Sequence, residues 1–156
     1  MGGDWKEFDL NFFRDGKPQV MEPNITNLVP CIAFKADLED VLFPHGKHGL
    51  EFLPFKVEGK DWKLLNCLNS IDHVDEKHSI LHRNDSGIIF MVQRLVLNDL
   101  LVDDIEFFTL EKSNRSSIFV TELFVNRVKQ FGLKGLQFRH VGEVSVSDPL
   151  ILNSPN

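Results

Sequence analysis

The densest group of potential metal ligands is the segment His73-Val74-Asp75-Glu76-Lys77-His78, with His82 beyond it. Imidazole nitrogen and carboxylate oxygen are both ligands that zinc accepts. The spacing matches neither His-Glu-x-x-His nor the inverted zincin motif, because Lys77 separates Glu76 from His78. The segment is therefore typical of a solvated loop, and no metal site is predicted. A small metal-dependent enzyme built on His73, His78 and His82 is the weaker alternative.

Cys31 and Cys67 are the only cysteines, and each lies in an apolar run. Apolar surroundings raise the pKa of a thiol and make it a poor nucleophile. Two cysteines with this spacing fit neither a disulfide framework nor a zinc motif. The chain also lacks the P-loop, the Gly-x-Gly-x-x-Gly motif and the Gly-x-Ser-x-Gly elbow. These observations predict reduced core thiols, no catalytic residue and no cofactor.

Clusters of carboxylates are the remaining candidates for a site. The chain has 17 Lys and Arg against 23 Asp and Glu, which gives a net charge of −6. This charge disfavours nucleic-acid binding and suits a basic protein partner. A solvated surface is the simpler alternative, and it is the one we expect for Asp72, Asp75 and Glu76. The predicted partner-binding residues are Asp37, Glu39, Asp40, Asp99, Asp103, Asp104 and Glu106.

Most of the chain has the patterns of β-strands. Alternating or continuous apolar runs between Gly, Pro and Asn predict strands at 8–12, 29–34, 50–57, 62–68, 79–83, 88–97, 105–110, 117–120 and 136–141. A turn at 58–61 predicts a hairpin, and 79–83 is expected at a sheet edge. The β-branched run 88–97 predicts a buried strand. Loops are expected at 23–27 and 69–78, with turns at 14–18 and 97–101.

Two short helices are predicted. The first covers residues 36–43 and places Leu38, Val41 and Leu42 on one face. The second begins at Thr121-Glu122, where a capping side chain and an acidic first turn favour a helix start, and Gly132 ends it. Its predicted apolar stripe is Leu123, Phe124, Val128 and Phe131. The fold class is therefore α+β, a mixed or antiparallel sheet with two short helices.

An internal repeat is also indicated. Residues 32–52 align without a gap with residues 118–138, at a constant offset of 86. The identical positions are Ile32/Ile118, Gly46/Gly132, Gly49/Gly135, Leu50/Leu136 and Phe52/Phe138. Each copy is expected to form a strand, a short helix, a Gly-x-x-Gly turn and a second strand. The alternative is that any strand–helix–strand unit tends to place glycine after its helix.

The chain of 156 residues divides into an irregular N-terminal arm with a strand (1–28), one α+β domain (29–144) and a frayed tail (145–156). Its first residues lack an apolar signal region. No stretch approaches the ~20 apolar residues of a membrane span. We therefore expect a cytoplasmic protein without a membrane partner.

Several motifs in this domain follow a known pattern. Two consecutive strands read Gly49-Leu50-Glu51-Phe52-Leu53-Pro54 and Trp62-Lys63-Leu64-Leu65-Asn66, and an Asp-x-x-Asp-x-x-x-Ser stretch follows at 72–79. Near the C-terminus come Phe107-Phe108-Thr109-Leu110, then Val120-Thr121-Glu122, then Leu133-Lys134-Gly135-Leu136-Gln137-Phe138. Over residues 29–142 the chain resembles immunity family eleven of bacterial polymorphic toxin systems. It departs from that family at Lys35-Ala36-Asp37, where Ser-Glu is usual, and in its N-terminal arm.

The resemblance implies that residues 29–144 form an immunity-type domain. Such a domain is a small bacterial antidote that binds a cognate toxin domain and inhibits it stoichiometrically, without catalysis. The acidic surface suits a basic toxin such as a nuclease. A non-catalytic adaptor or self-associating domain remains the principal alternative, because the residues alone do not separate it from an immunity protein.

Overall fold

The computed structural model describes residues 6–10, 22–28, 30–98 and 105–145. The predicted turns at 14–18 and 97–101 and the tail lie wholly or largely outside these ranges. The strands are β1 (Asp9–Leu10), β2 (Ile25–Leu28), β3 (Cys31–Lys35), β4 (Leu50–Val57), β5 (Lys60–Cys67), β6 (Ser70–Ile71), β7 (Ile80–Arg83), β8 (Ile89–Asn98), β9 (Phe107–Leu110), β10 (Phe119–Val120) and β11 (Gly142–Ser145). The α-helices are α1 (Glu39–Leu42), which follows a 3-10 turn at Ala36–Leu38, and α2 (Glu122–Gln130). The α+β class is confirmed.

The largest sheet has five strands in the order β1-β4-β5-β3-β2. Its centre is the predicted hairpin, in which Glu58 and Gly59 connect paired residues Val57 and Lys60. The loop predicted at 23–27 is wrong in part, because Ile25 to Leu28 pair antiparallel with β3. Ile25 is fully buried there, so core packing overrides the turn tendency of the neighbouring Pro and Asn residues.

Two three-stranded sheets complete the fold, in the orders β10-β9-β6 and β11-β8-β7. The edge position of β7 is confirmed. The buried strand predicted at 88–97 is wrong in part. Ile89, Val92 and residues 95–97 are buried, while Phe90, Met91, Gln93 and Arg94 are exposed. The last part of β8 is therefore covered on both faces, and its first part on one face only.

β9 joins two hydrophobic cores. Phe107 packs into the core beneath the five-stranded sheet, together with Phe34, Leu65 and Phe124. Its neighbour Phe108 packs into the second core, which is formed largely by β8. Successive residues of a strand point to opposite faces, so a four-residue strand can serve both cores.

Helix α2 begins and ends where predicted, but its apolar stripe is narrower. Phe124 and Val128 are buried one turn apart, as a core-facing stripe requires. Leu123 points away from the core and is 63% exposed. Phe131 lies after the last helical residue, where the chain turns at Gly132, and it is also exposed.

The strand predicted at 136–141 is wrong. Leu136 and Phe138 pack against the first core from an irregular segment, and this packing explains their spacing. Just before this segment the backbone is held by two hydrogen bonds, because the amides of Asn24 and Ile25 both donate to the carbonyl of Lys134. The last strand is β11, which pairs parallel with β8.

Each of the two aligned segments runs from a strand through a short helix to a pair of glycines, although α2 is longer than α1. All four glycines have positive φ, from 61° to 117°. In each copy the first glycine, Gly46 or Gly132, is open, whereas the second, Gly49 or Gly135, contacts another part of the chain. The copies then diverge, because β4 follows Gly49 and no strand follows Gly135 directly.

Candidate functional site

A groove of about 480 Å³ lies between the turn that follows α1 and the first turn of α2. We call it the α2 groove. Its walls come from residues 43–50, Asn69, residues 105–107, Thr121 and Leu123. The floor is apolar, because the rings of Phe43 and Phe107 meet there with centroids 5.5 Å apart. A concave apolar floor with a few polar side chains on its walls is the general form of a binding site.

Glu106 forms one wall of the α2 groove and is held in place by Arg127. The guanidinium donates from Nη1 to Glu106 Oε2 (2.6 Å) and from Nη2 to Oε1 (2.7 Å). Nη1 also donates to the carbonyl oxygen of Leu42, at the end of α1 (2.7 Å). This hydrogen bonding by Glu106 raises the pKa of Arg127. The charge of Glu106 is therefore compensated within the chain.

The start of α2 forms the opposite wall. Thr121 occupies the N-cap position as predicted, but its side chain makes no capping hydrogen bond. Its hydroxyl is buried and has no hydrogen-bond partner within the described ranges. The Thr121 amide donates to the carbonyl of Glu106 (2.9 Å), which ties the two walls together. Leu123 extends from the rim into solvent.

Asn69 connects the groove to both cores. Its side-chain amide donates to the carbonyls of His48 and Phe107, each at 3.1 Å. Its carbonyl accepts the amide and the hydroxyl of Thr109, which is buried. Asn69 begins the predicted polar loop 69–78, where no such role was expected, although its position directly after an apolar strand is compatible with it.

The predicted acidic residues fall into three groups. Glu39 is only 13% exposed and is bound by Lys47 and Lys63, so it supports the first helix. Asp37 and Asp40, on the same segment, are exposed. Asp99, Asp103 and Asp104 lie outside the described residues. Of the four predicted acidic residues that lie within the described ranges, Glu106 alone lines the α2 groove.

The histidines of the predicted loop are not brought together. His78 Nδ1 lies 2.6 Å from Asp75 Oδ2, while His82 lies on β7 beside Gln93. In the described part of the chain no three His, Cys, Asp or Glu side chains converge as metal ligands would. The loop is partly structured, since β6 and a bridge from Val74 to Leu97 lie within it.

The cysteines differ in burial. Cys67 is buried in the first core and its thiol lies 3.7 Å from the Asn69 carbonyl. Cys31 is half-buried on β3. Burial raises the pKa of both thiols, as expected for unreactive cysteines.

The comparison with known families now gives the class of the protein. The model of the immunity protein family (Imm11) matches residues 48–143, which is more than half of the chain. The chain therefore belongs to this family of immunity proteins, as its motifs indicated. The match includes most of the groove walls but starts after α1. No curated protein matches the chain.

The described residues contain no helix of the length and apolarity that crossing a bilayer requires.

Proposed function

We propose that this chain is a bacterial, cytoplasmic antidote that binds a cognate toxin domain one to one and blocks its active site or the access of substrate to it. Membership of an immunity protein family over residues 48–143 carries this proposal. Inhibition of this kind needs a surface and no catalytic group. It also needs neither a cofactor nor a nucleic acid or membrane as partner.

We further propose that the toxin docks at the α2 groove and contacts acidic residues of the chain. Leu123 offers an exposed apolar side chain at the rim, and its burial against a partner would favour binding. The charge would come from Asp37, Asp40, Asp99, Asp103 and Asp104, because Arg127 compensates Glu106 and Lys47 and Lys63 compensate Glu39. A basic toxin surface with an apolar tip has the complementary chemistry.

The test has two stages. The tagged chain is expressed in its native bacterium, and co-eluting proteins are identified by mass spectrometry. The toxin domain of the captured partner is then purified, and its activity is measured against increasing amounts of the chain. Inhibition should be complete at one equivalent. A partner that is bound at equal stoichiometry but remains fully active would contradict the proposal and support an adaptor.

Leu123→Ser tests the docking site. Because Leu123 is exposed, the variant should unfold at the wild-type denaturant concentration yet bind the toxin domain at least about tenfold more weakly. Phe131→Ser is the matched control, since Phe131 is 51% exposed at the opposite end of α2 and lies outside the groove. Equal losses of affinity for the two variants, or no loss for either, would show that the toxin docks elsewhere.

A further inference from the structure

The floor of the α2 groove has the composition of a site for an aromatic ring. The rings of Phe43 and Phe107 meet there at an angle of 43°, and Leu50, Ile105 and Leu123 add aliphatic surface to the lining. Aromatic rings prefer tilted or offset neighbours, so this floor suits a further ring. The groove volume of about 480 Å³ lies in the range of sites that enclose a small ligand, so a single aromatic side chain can enter it.

Glu106 brings hydrogen-bond acceptors to this floor. It is the only Asp, Glu, Lys or Arg among the described residues that line the groove. Each of its carboxylate oxygens accepts one N–H of Arg127, at 2.6 and 2.7 Å. A carboxylate has about four acceptor positions, so about two stay unused. The Glu106 side chain is 17% exposed, and Arg127 is not part of the lining. A ligand therefore meets the carboxylate with the guanidinium behind it.

The other polar side chains of the lining add few donors. Asn69 uses the hydrogens of its amide for the carbonyls of His48 and Phe107, so its side chain can only accept from a ligand. The oxygen of the Thr121 hydroxyl is buried, which closes it to a ligand. The imidazoles of His45 and His48 are exposed, and either can donate. Inside the groove the polar groups are therefore mainly acceptors, and they require a donor.

Charge separates the possible occupants. An anionic side chain is repelled by Glu106, and the described lining holds no Lys or Arg to offset this. A cationic side chain is attracted by Glu106 but repelled by Arg127, which already binds both carboxylate oxygens. A side chain without a donor displaces water from the carboxylate and replaces none of its hydrogen bonds, which is costly. A neutral donor on an aromatic ring avoids all three penalties.

We infer that the α2 groove receives a tyrosine or tryptophan side chain of the toxin, whose ring packs on Phe43 and Phe107 and whose O–H or N–H donates to Glu106. This inference rests on the proposed docking at the groove and adds the chemistry of the residue that enters it. Tyrosine and tryptophan share this chemistry, and both are enriched among the residues that dominate interfaces. A hydrogen bond to a carboxylate is stronger than one between neutral groups, so the donor adds specificity to the apolar contact.

The first test uses small probes that differ by one donor. N-acetyl-tyrosinamide is compared with N-acetyl-phenylalaninamide, and N-acetyl-tryptophanamide with its ring-N-methylated analogue. Each probe is titrated into the isotope-labelled chain, and the amide signals of residues 43–50, 105–107 and 121–123 are followed by NMR. The probes with a donor should shift these signals saturably and bind at least about fivefold more tightly than their analogues. The tighter of the two donor probes identifies the side chain.

Two variants test the assignment to Glu106. In Glu106→Gln a neutral amide replaces the carboxylate, so the tyrosine and phenylalanine probes should bind within about twofold of each other. Glu51→Gln is the matched control, since Glu51 also accepts a side-chain hydrogen bond, from Asn66, but lies outside the groove. It should keep the wild-type preference. Because Glu106→Gln also weakens the contact with Arg127, its amide spectrum is checked for folding. If it does not fold, the probe comparison in the wild-type chain decides.

Probes of other chemistry give the results that would overturn the inference. N-acetyl-argininamide that binds the groove more tightly than the tyrosine probe would assign the site to a cationic side chain. A phenylalanine probe that binds as tightly as the tyrosine probe would show that the groove reads apolar surface only. The absence of saturable shifts in the groove for every probe would remove the site.

The captured toxin domain separates this inference from the proposed function. Each of its tyrosines and tryptophans is replaced by phenylalanine in turn, and one replacement should weaken binding to the chain at least about tenfold. Complete inhibition at one equivalent, with no such residue in the toxin, would overturn the inference and leave the proposed function standing. Donor-selective probe binding at the groove without inhibition of the captured partner would support the inference and contradict the proposed function.

Discussion

Arg127 connects three parts of the chain with one side chain. Arg127 lies on α2. Its guanidinium donates to both carboxylate oxygens of Glu106, just before β9, and to the carbonyl of Leu42, at the end of α1. The side chains of Arg127 and Glu106 are 11% and 17% exposed, so water screens the pair only weakly. A planar fork that matches a carboxylate gives this geometry, which lysine cannot reproduce.

We expect Arg127→Lys to lower the free energy of unfolding by about 2 kcal/mol, because the charge remains but hydrogen bonds to a charged partner are lost. Urea denaturation monitored by fluorescence of the two tryptophans measures this. Lys129→Arg, on the same helix but exposed, is the control and should change stability by less than ~0.5 kcal/mol. A similar small change for Arg127→Lys would mean that the fork adds nothing beyond its charge.

Asp75 gives the stability a defined pH dependence. Its Oδ1 accepts the amides of Lys77 and His78, and its Oδ2 contacts His78 Nδ1. The hydrogen bond with His78 is the main cause that lowers the pKa of Asp75. A lowered pKa means that the stabilisation is present above the unfolded-state pKa and is lost as the pH falls through the folded-state value.

Asp75→Asn removes this titration while keeping an oxygen for the two amides. The variant should be less stable than the wild type at neutral pH, and its urea midpoint should fall less between about pH 5 and about pH 3. Asp72→Asn, three residues earlier and exposed, is the control. If Asp75→Asn retains the full acid dependence, other carboxylates are responsible for it.

At the scale of the elements, the two Gly-x-x-Gly turns place their glycines in different surroundings. Gly132 has φ +61° and open space where a side chain would be. Gly135 has φ +117°, and a Cβ there would overlap the backbone carbonyl of Ile25 on β2. The second glycine therefore serves close packing as well as the turn.

Gly135→Ala should lower the free energy of unfolding by clearly more than Gly132→Ala. Gly132→Ala introduces only the strain of a left-handed backbone, about 1 kcal/mol. Gly135→Ala introduces this strain and also displaces β2 or the turn. Urea denaturation of both variants gives the comparison, and hydrogen exchange should locate the extra loss in β2. Equal destabilisation by the two variants would show that the Ile25 carbonyl can move away from the added Cβ without a cost in free energy of unfolding.

Elements could be predicted from the sequence where the residues that determine them lie close together in the chain, and not where distant contacts determine them. The β4–β5 hairpin was predictable because its turn and alternation lie within eighteen residues. β2 was not, because the burial of Ile25 against α2 and β3 overrode the turn signals around it. The groove was missed because its parts are distant in sequence: Asn69 is 21 residues from His48 and 38 from Phe107, and it bonds to both. No local pattern encodes such a contact.

The distribution of charge is a property of the whole molecule that the net value of −6 conceals. Two of the predicted acidic residues, Glu39 and Glu106, are held by Lys and Arg side chains within the fold. The negative charge that a partner meets is therefore carried by the other carboxylates of the chain.

We expect the triple variant Asp99→Asn, Asp103→Asn and Asp104→Asn to bind the toxin domain more slowly. Removing three carboxylates changes the net charge from −6 to −3. Steering between opposite charges acts mainly on the association rate, which should fall by about three- to tenfold at low salt and converge with the wild type at high salt. Stopped-flow measurements over a range of salt concentrations give this rate and its salt dependence.

The control keeps the same change in net charge but places it at exposed positions elsewhere in the chain, Asp61→Asn, Asp85→Asn and Glu111→Gln. If the acidic stretch before Ile105 lies at the docking surface, this control should reduce the association rate less than the first variant does, because steering weakens beyond a Debye length of about 10 Å at moderate salt. Equal reductions would mean that only the overall charge matters. Unchanged affinity and salt dependence in the first variant would remove Asp99, Asp103 and Asp104 from the docking surface altogether.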